Sequence, residues 1–89
     1  MPSKSIALVT GGFDPIHSGH IALFKEAATM GDLFVGVNSD QWLKDKKGYC
    51  FMPLEERMEI ISNLQMIDHR FNSRVFKFND TKSYRTWGL

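Results

Sequence analysis

The stretch Val9-Thr10-Gly11-Gly12-Phe13-Asp14-Pro15-Ile16-His17-Ser18-Gly19-His20 constrains this chain more than any other part of it. An apolar run, Ile6-Ala7-Leu8-Val9, leads into two adjacent glycines, and a helix-spaced pattern begins after the second histidine. A buried strand, a glycine turn and a helix start form an arrangement that binds phosphate. Glycines let the backbone come close, and the unpaired N–H groups of a first helical turn point at the anion. Neither G-x-G-x-x-G nor the Walker pattern ending in Gly-Lys-Ser/Thr is present. In their place stand Asp14 and two histidines three residues apart, His17 and His20.

The surrounding pattern is that of a small α/β unit. Residues 5–10 read as a buried strand ended by Gly11-Gly12. Over residues 18–30, Ile21, Phe24 and Ala28 recur at helical spacing, with Ser18 as candidate N-cap and Gly31 where a left-handed residue would end the helix. Residues 32–37 form a second apolar strand, and strand–helix–strand predicts a right-handed parallel crossover. Asn38-Ser39-Asp40 closes that strand at the same sheet edge as the glycine loop, where parallel sheets bind ligands. A short helix is expected at residues 41–44, then a basic loop over residues 44–48. A longer helix is predicted over residues 54–64, with Pro53 in its first turn. It carries Leu54, Met58, Ile61 and Leu64 on one face and Glu55, Glu56, Arg57 and Glu59 largely on the others. A third strand is expected within residues 74–78, and no element is assigned after Asn79.

Composition narrows the class of protein. With 89 residues, 43% of them apolar and 24% charged, the chain is expected to be one soluble domain over residues 1–89. No repeat or linker divides it. A net charge of +1 supplies no overall field toward nucleic acid or membrane, so attraction for anions must be local. One cysteine, Cys50, cannot form an internal disulfide, and no apolar run approaches the ~20 residues that span a bilayer. A cytoplasmic, unanchored protein is the expectation.

The glycine-loop stretch resembles the signature of the cytidylyltransferase-like nucleotidyltransferases, Gly-x-Phe-Asp-x-x-His-x-Gly-His after the first strand. Phe13, Asp14, His17, Gly19 and His20 fill its fixed positions, with Gly11 or Gly12 as the leading glycine. The resemblance implies a small three-layer Rossmann-like fold, a parallel sheet with flanking helices. It also implies transfer of a nucleotide's α-phosphate to another phosphate oxygen, with release of pyrophosphate. Such a reaction brings anions together, so positioned cations and hydrogen-bond donors are its main requirement. Mg²⁺ is the cofactor implied.

By that resemblance His17 and His20 hold the nucleotide's phosphates, while the residues alone allow a structural role as well. No third ligand stands at metal-binding spacing from the pair, so no metal ligands are assigned. Asp14 reads as a turn former on local grounds; the resemblance puts it in the phosphate site, near the metal or the transferring group. Thr10 has ordinary strand propensity and is placed by the family beside the acceptor phosphate. Lys44, Lys46 and Lys47 would pass for a solvated surface by composition alone. They resemble the family's Lys-x-Lys-Lys-x-Tyr segment, matched from Lys44 to Tyr49, which assigns phosphate binding to Lys44 and Lys46, a catalytic part to Lys46, and leaves Lys47 solvated. Tyr49 packs. Arg57 reads as an exposed, ion-paired residue, whereas the family's arginine there reaches the active site.

The resemblance covers roughly residues 5–70. Beyond them Arg85-Thr86-Trp87-Gly88-Leu89 partly echoes a second family signature, Arg-Thr-x-Gly-Ile-Ser-Thr, as a relic or by coincidence. The C-terminal part of the fold is therefore expected to be incomplete, leaving an unpaired sheet edge that favours a homodimer. CMP transfer from CTP to a small alcohol phosphate such as glycerol 3-phosphate is the favoured activity. Adenylyl transfer from ATP, as in heptose or pantetheine pathways, is the alternative, followed by a weak nucleotide-binding fragment and an interaction module.

Overall fold

The computed structural model describes residues 5–66 and 73–78. The echo at residues 85–89 lies outside them. Three strands, β1 (Ile6–Gly11), β2 (Asp32–Asn38) and β3 (Arg74–Phe78), form a parallel sheet in the order β1-β2-β3. Helix α1 (Ser18–Ala28) joins β1 to β2, while α2 (Asp40–Lys47), α3 (Leu54–Ser62) and a 3₁₀ turn (Asn63–Met66) follow β2. This is a Rossmann-like α/β fold. The register places Gly11 beside Val37 and Asn38 beside Phe78, so all three strands end at one edge.

The central strand dictates the packing. Leu33, Val35 and Val37 of β2 are buried, as expected of a parallel strand paired on both sides. Phe24 of α1 and Ile61 of α3 close on them, with Val9, Phe13 and Leu64. The stripe predicted for α3 therefore packs as expected: Ile61 and Leu64 are core, and Leu54 and Met58 lean against it. Outside this core, Ile6 and Leu8 on β1 and Met30 after α1 are exposed, along a strand with no outer neighbour among the described residues.

Four local expectations change. His17, not Ser18, caps α1: its extended backbone precedes the helix and its ring accepts the Gly19 N–H. The helix ends at Thr29 with right-handed backbone, and Gly31 is not left-handed. A side chain at Gly31 would instead run into the Ser5 carbonyl. The basic segment is not a loop. Ser39 caps a helix through its hydroxyl, Lys44, Lys46 and Lys47 lie in its last turns, and Gly48 at φ +89° ends it. Cationic residues near a helix C-terminus suit its dipole. Pro53 is the N-cap of α3 rather than a residue of its first turn.

Candidate active site

The glycine loop, the start of α1 and one face of α2 enclose an open cavity of about 280 Å³. It is lined by Gly12, Phe13, Asp14 and Pro15, by His17 and His20, and by Trp42, Leu43, Lys46 and Lys47. Ligand sites run to roughly 300–1,000 Å³, so this one suits a phosphate chain better than a whole nucleotide with its acceptor. Gly12 packs close against α2: a Cβ there would lie 2.6 Å from Leu43 Cδ2, so the buried Leu43 side chain would have to shift.

The two histidines form a capping box of their own. His17 Nδ1 accepts the Gly19 N–H at 3.0 Å, and His20 Nδ1 accepts the His17 N–H at 3.0 Å. The rings stack, with centroids 3.9 Å apart. Gly19 leaves room for this fold-back, since a Cβ would sit 2.8 Å from the His17 ring. Because a backbone N–H can only donate, both Nδ1 atoms are unprotonated and both ring protons sit on Nε2. Neither Nε2–H has a partner among the described residues. Phe13, in left-handed backbone at φ +52° and buried, sets its ring edge-on to His20 at 5.1 Å and to Phe24 at 5.4 Å. Its packing offsets a backbone that a bulky residue seldom adopts. Burial, reinforced by the repulsion between the two rings when both are protonated, lowers the His20 pKa from 6.5.

Asp14 is held from three sides. Phe51 and Met52 donate main-chain N–H bonds to its two oxygens, each at 2.6 Å, and Lys47 Nζ lies 3.2 Å from Oδ2. The carboxylate is fully buried, which alone would raise its pKa, but these partners outweigh burial and the net shift is downward. Lys47 also donates to the Asp14 carbonyl at 2.6 Å and sits 4.7 Å over the Tyr49 ring, so it is not the solvated lysine expected. Lys46 lies 5.5 Å over the Trp42 ring.

Arg57 is fully buried, contrary to its reading as an exposed residue. Nε donates to the Met52 carbonyl at 2.8 Å, and Nη1 to the carbonyls of Gly12 and Asn38, both at 2.7 Å. Nη2 meets Asp40 Oδ1 at 2.5 Å. One guanidinium thus ties the ends of β1 and β2 to the starts of α2 and α3, and it does not line the cavity.

Of the residues anticipated from sequence, Gly12, Phe13, Asp14, His17, His20 and Lys46 meet around the cavity. Thr10 and Gly11 are buried behind it, and Lys44 is exposed away from it. Pro15 and, on α2, Trp42, Leu43 and Lys47 were missed. Helical spacing from Ser39 holds the signal, since residues 42, 43, 46 and 47 share one face and residue 44 does not.

Mg²⁺ needs free oxygen ligands. Asp14 is the carboxylate that lines the cavity; its side chain is buried and three of its roughly four lone-pair sites are engaged by Phe51, Met52 and Lys47. Among the described residues no three His, Cys, Asp or Glu side chains converge. The residues present do not fit a protein-held metal ion.

A model of the cytidylyltransferase-like family matches residues 8–86. The chain belongs to the cytidylyltransferase-like family. Bifunctional protein HldE of Hydrogenovibrio crunogenus is 41% identical to this cytidylyltransferase-like chain over 68 residues, 73% of the chain and 14% of that protein. Ethanolamine-phosphate cytidylyltransferase of Dictyostelium discoideum is 37% identical over 70 residues, 75% of the chain and 19% of that protein. The cytidylyltransferase-like domain thus spans under a fifth of the length of either relative. A lipopolysaccharide core biosynthesis protein of Thermoplasma volcanium superposes with a TM-score of 0.71 at 25% identity, over 85% of this chain and 60% of that one. No described helix is long and apolar enough to cross a membrane.

The site gives the domain a defined acid response. His20, Asp14 and Asp40 all have lowered pKa values, Asp40 because the Arg57 and Cys50 bonds and its other partners outweigh burial. The unfolded chain therefore holds more protons at these groups, and stability is lost as the pH is lowered. The decline begins below the ordinary histidine value of 6.5 and steepens below the carboxylate value of 3.8. Thermal unfolding followed against pH should show both stages. His20→Gln, which keeps an acceptor for the His17 N–H, should flatten the first and leave the second.

Proposed function

We propose that this domain transfers a nucleotidyl group from a nucleoside triphosphate to the phosphate of a small phosphorylated alcohol or sugar. An acceptor phosphate oxygen attacks the α-phosphorus, the bond from that phosphorus to the oxygen bridging the β-phosphate breaks, and pyrophosphate leaves. The observation that carries this reading is the convergence of four donor side chains on one cavity: His17 and His20, whose Nδ1 atoms are already bonded, and Lys46 and Lys47. Neutral Nε2–H donors bond phosphate oxygens without having to gain or lose a proton. The lysines offset charge that moves toward the leaving group.

CTP is the favoured nucleotide, supported by the likeness to an ethanolamine-phosphate cytidylyltransferase. ATP with a heptose or pantetheine phosphate is the second reading; the lipopolysaccharide biosynthesis neighbour supports a sugar acceptor. A pyrophosphate-release assay with CTP or ATP against glycerol 3-phosphate, ethanolamine phosphate and a heptose phosphate tests both. Release with neither nucleotide would leave a nucleotide-binding fragment or an interaction module. The exposed apolar residues along β1 support self-association as a homodimer.

Lysine roles separate in a binding experiment. Lys46→Ala and Lys47→Ala should each weaken CTP or ATP binding by roughly tenfold or more, the scale of a lost charged hydrogen bond. Lys44→Ala should leave it within about twofold, because an exposed lysine off the cavity face adds only a screened charge. Calorimetric titration of the three variants checks this, and a loss confined to Lys44→Ala would reverse the assignment.

A further inference from the structure

Asp14 and Arg57 both grip the backbone of Met52, one at its N–H and the other at its carbonyl. Asp14 accepts the N–H groups of Phe51 and Met52, while Arg57 Nε donates to the Met52 carbonyl. Arg57 also holds the Gly12 carbonyl, two residues before Asp14. A closed chain of bonds therefore runs from the glycine loop through Asp14 and residues 51–52 to Arg57, and back to the glycine loop. Lys47 is attached to it through both the carboxylate and the carbonyl of Asp14. Tyr49 and Phe51 are exposed, so this ring of bonds, helped by the Cys50 thiol on the Met52 carbonyl, does more than packing to fix how the segment after α2 turns.

We propose that Asp14 is a positioning residue, not a metal ligand: it fastens the 47–52 segment against the glycine loop and so presents Lys47 at the mouth of the phosphate cavity. The proposal rests on the nucleotidyl-transfer reading of the cavity for its consequence, though not for its geometry. Each Asp14 oxygen is committed to an N–H donor, and the Lys47 ammonium occupies the approach that a cation would use. Oδ2 already meets both the Phe51 N–H and Lys47, and Oδ1 the Met52 N–H, so a metal ion at this buried carboxylate would have to displace one of them or squeeze onto the single lone pair left on Oδ1. Any Mg²⁺ needed for transfer would then enter on the nucleotide's own phosphates.

The proposal makes different demands on the ligand-free and the liganded protein. In ¹⁵N-labelled wild-type chain, millimolar Mn²⁺ without nucleotide should leave the Phe51 and Met52 amide signals as sharp as those of α1. Selective broadening of those two signals would place the metal on Asp14 and overturn the proposal. Asp14→Asn should speed hydrogen exchange of the same two amides by at least about tenfold, as a lost charge-assisted bond implies, with α1 unchanged. Inorganic tripolyphosphate then serves as probe, with and without Mg²⁺. Asp14→Asn should alter its affinity by the same factor in both conditions, whereas loss of the Mg²⁺-dependent part alone would make Asp14 a ligand. If Asp14→Asn does not fold, the Mn²⁺ result on wild type still decides. If wild type binds no tripolyphosphate, the functional reading fails while the Mn²⁺ and exchange results still judge the clamp.

Discussion

Arg57→Lys is expected to leave the domain unfolded or barely folded, with a melting midpoint lower by at least about 12 °C. The guanidinium is wholly buried and makes four bonds to four different segments. A lysine ammonium is a single point with three donors and cannot reach Gly12, Asn38, Met52 and Asp40 together. Each buried carbonyl left unpaired costs about 1–3 kcal/mol, and breaking a buried charge pair costs about 3–5 kcal/mol. Asp40 is partly exposed, which reduces the second figure. A loss of even about 3 kcal/mol shifts the midpoint of a domain this size by at least about 12 °C, and total stabilities are only about 5–15 kcal/mol. Circular dichroism through a thermal ramp measures it. A midpoint within a few degrees of wild type, with nucleotide binding abolished, would make Arg57 a substrate ligand after all.

The histidine pair should show the largest separable effect on chemistry. Replacing a donor that faces developing charge typically costs 10²–10³ in turnover, about 2.7–4 kcal/mol of barrier. Alanine does not isolate that cost here, because His17 is the N-cap and His20 accepts the His17 N–H. Losing such a cap removes about 0.5–2 kcal/mol of stability, so an alanine variant should be both slower and less stable, not merely slower. His17→Asn keeps an oxygen where Nδ1 accepted, His20→Gln keeps one that can reach back to the His17 N–H as in a capping box, and both remove the imidazole Nε2–H. These two should keep a near-wild-type melting midpoint and lose about a hundredfold in pyrophosphate release. Retained turnover in both would remove the histidines from the reaction.

The parts that sequence made legible are those written in local pattern. β1 and β2 are uninterrupted apolar runs closed by Gly11-Gly12 and by Asn38-Ser39, and the Phe13–His20 signature lies within one loop and one helical turn. Only the first part of α2, residues 41–44, was legible, because Asp40–Lys47 has two apolar residues in eight, Trp42 and Leu43, and its later lysines look like a solvated loop. Its Ser39 cap and Gly48 terminus were nevertheless readable, and a helix drawn between them puts Lys46 and Lys47, not Lys44, on the Trp42–Leu43 side. Arg57 could not be read locally. It stands beside the apolar stripe of α3, and its Gly12 and Asn38 partners are 45 and 19 residues away in sequence. The capping histidine was hidden by a better local candidate: serine outranks histidine as a cap until the ring's fold-back over Gly19 is seen.

The claim on which the rest depends is that both histidines present Nε2–H to a phosphate chain, and ring nitrogen NMR observes this directly. In wild-type chain at neutral pH, long-range ¹H–¹⁵N spectra should show His17 and His20 as neutral rings protonated at Nε2. Adding tripolyphosphate, or CTP or ATP, should move both Nε2 signals while each Nδ1 stays an acceptor. Rings protonated at Nδ1, or Nε2 signals indifferent to saturating triphosphate, would contradict the account.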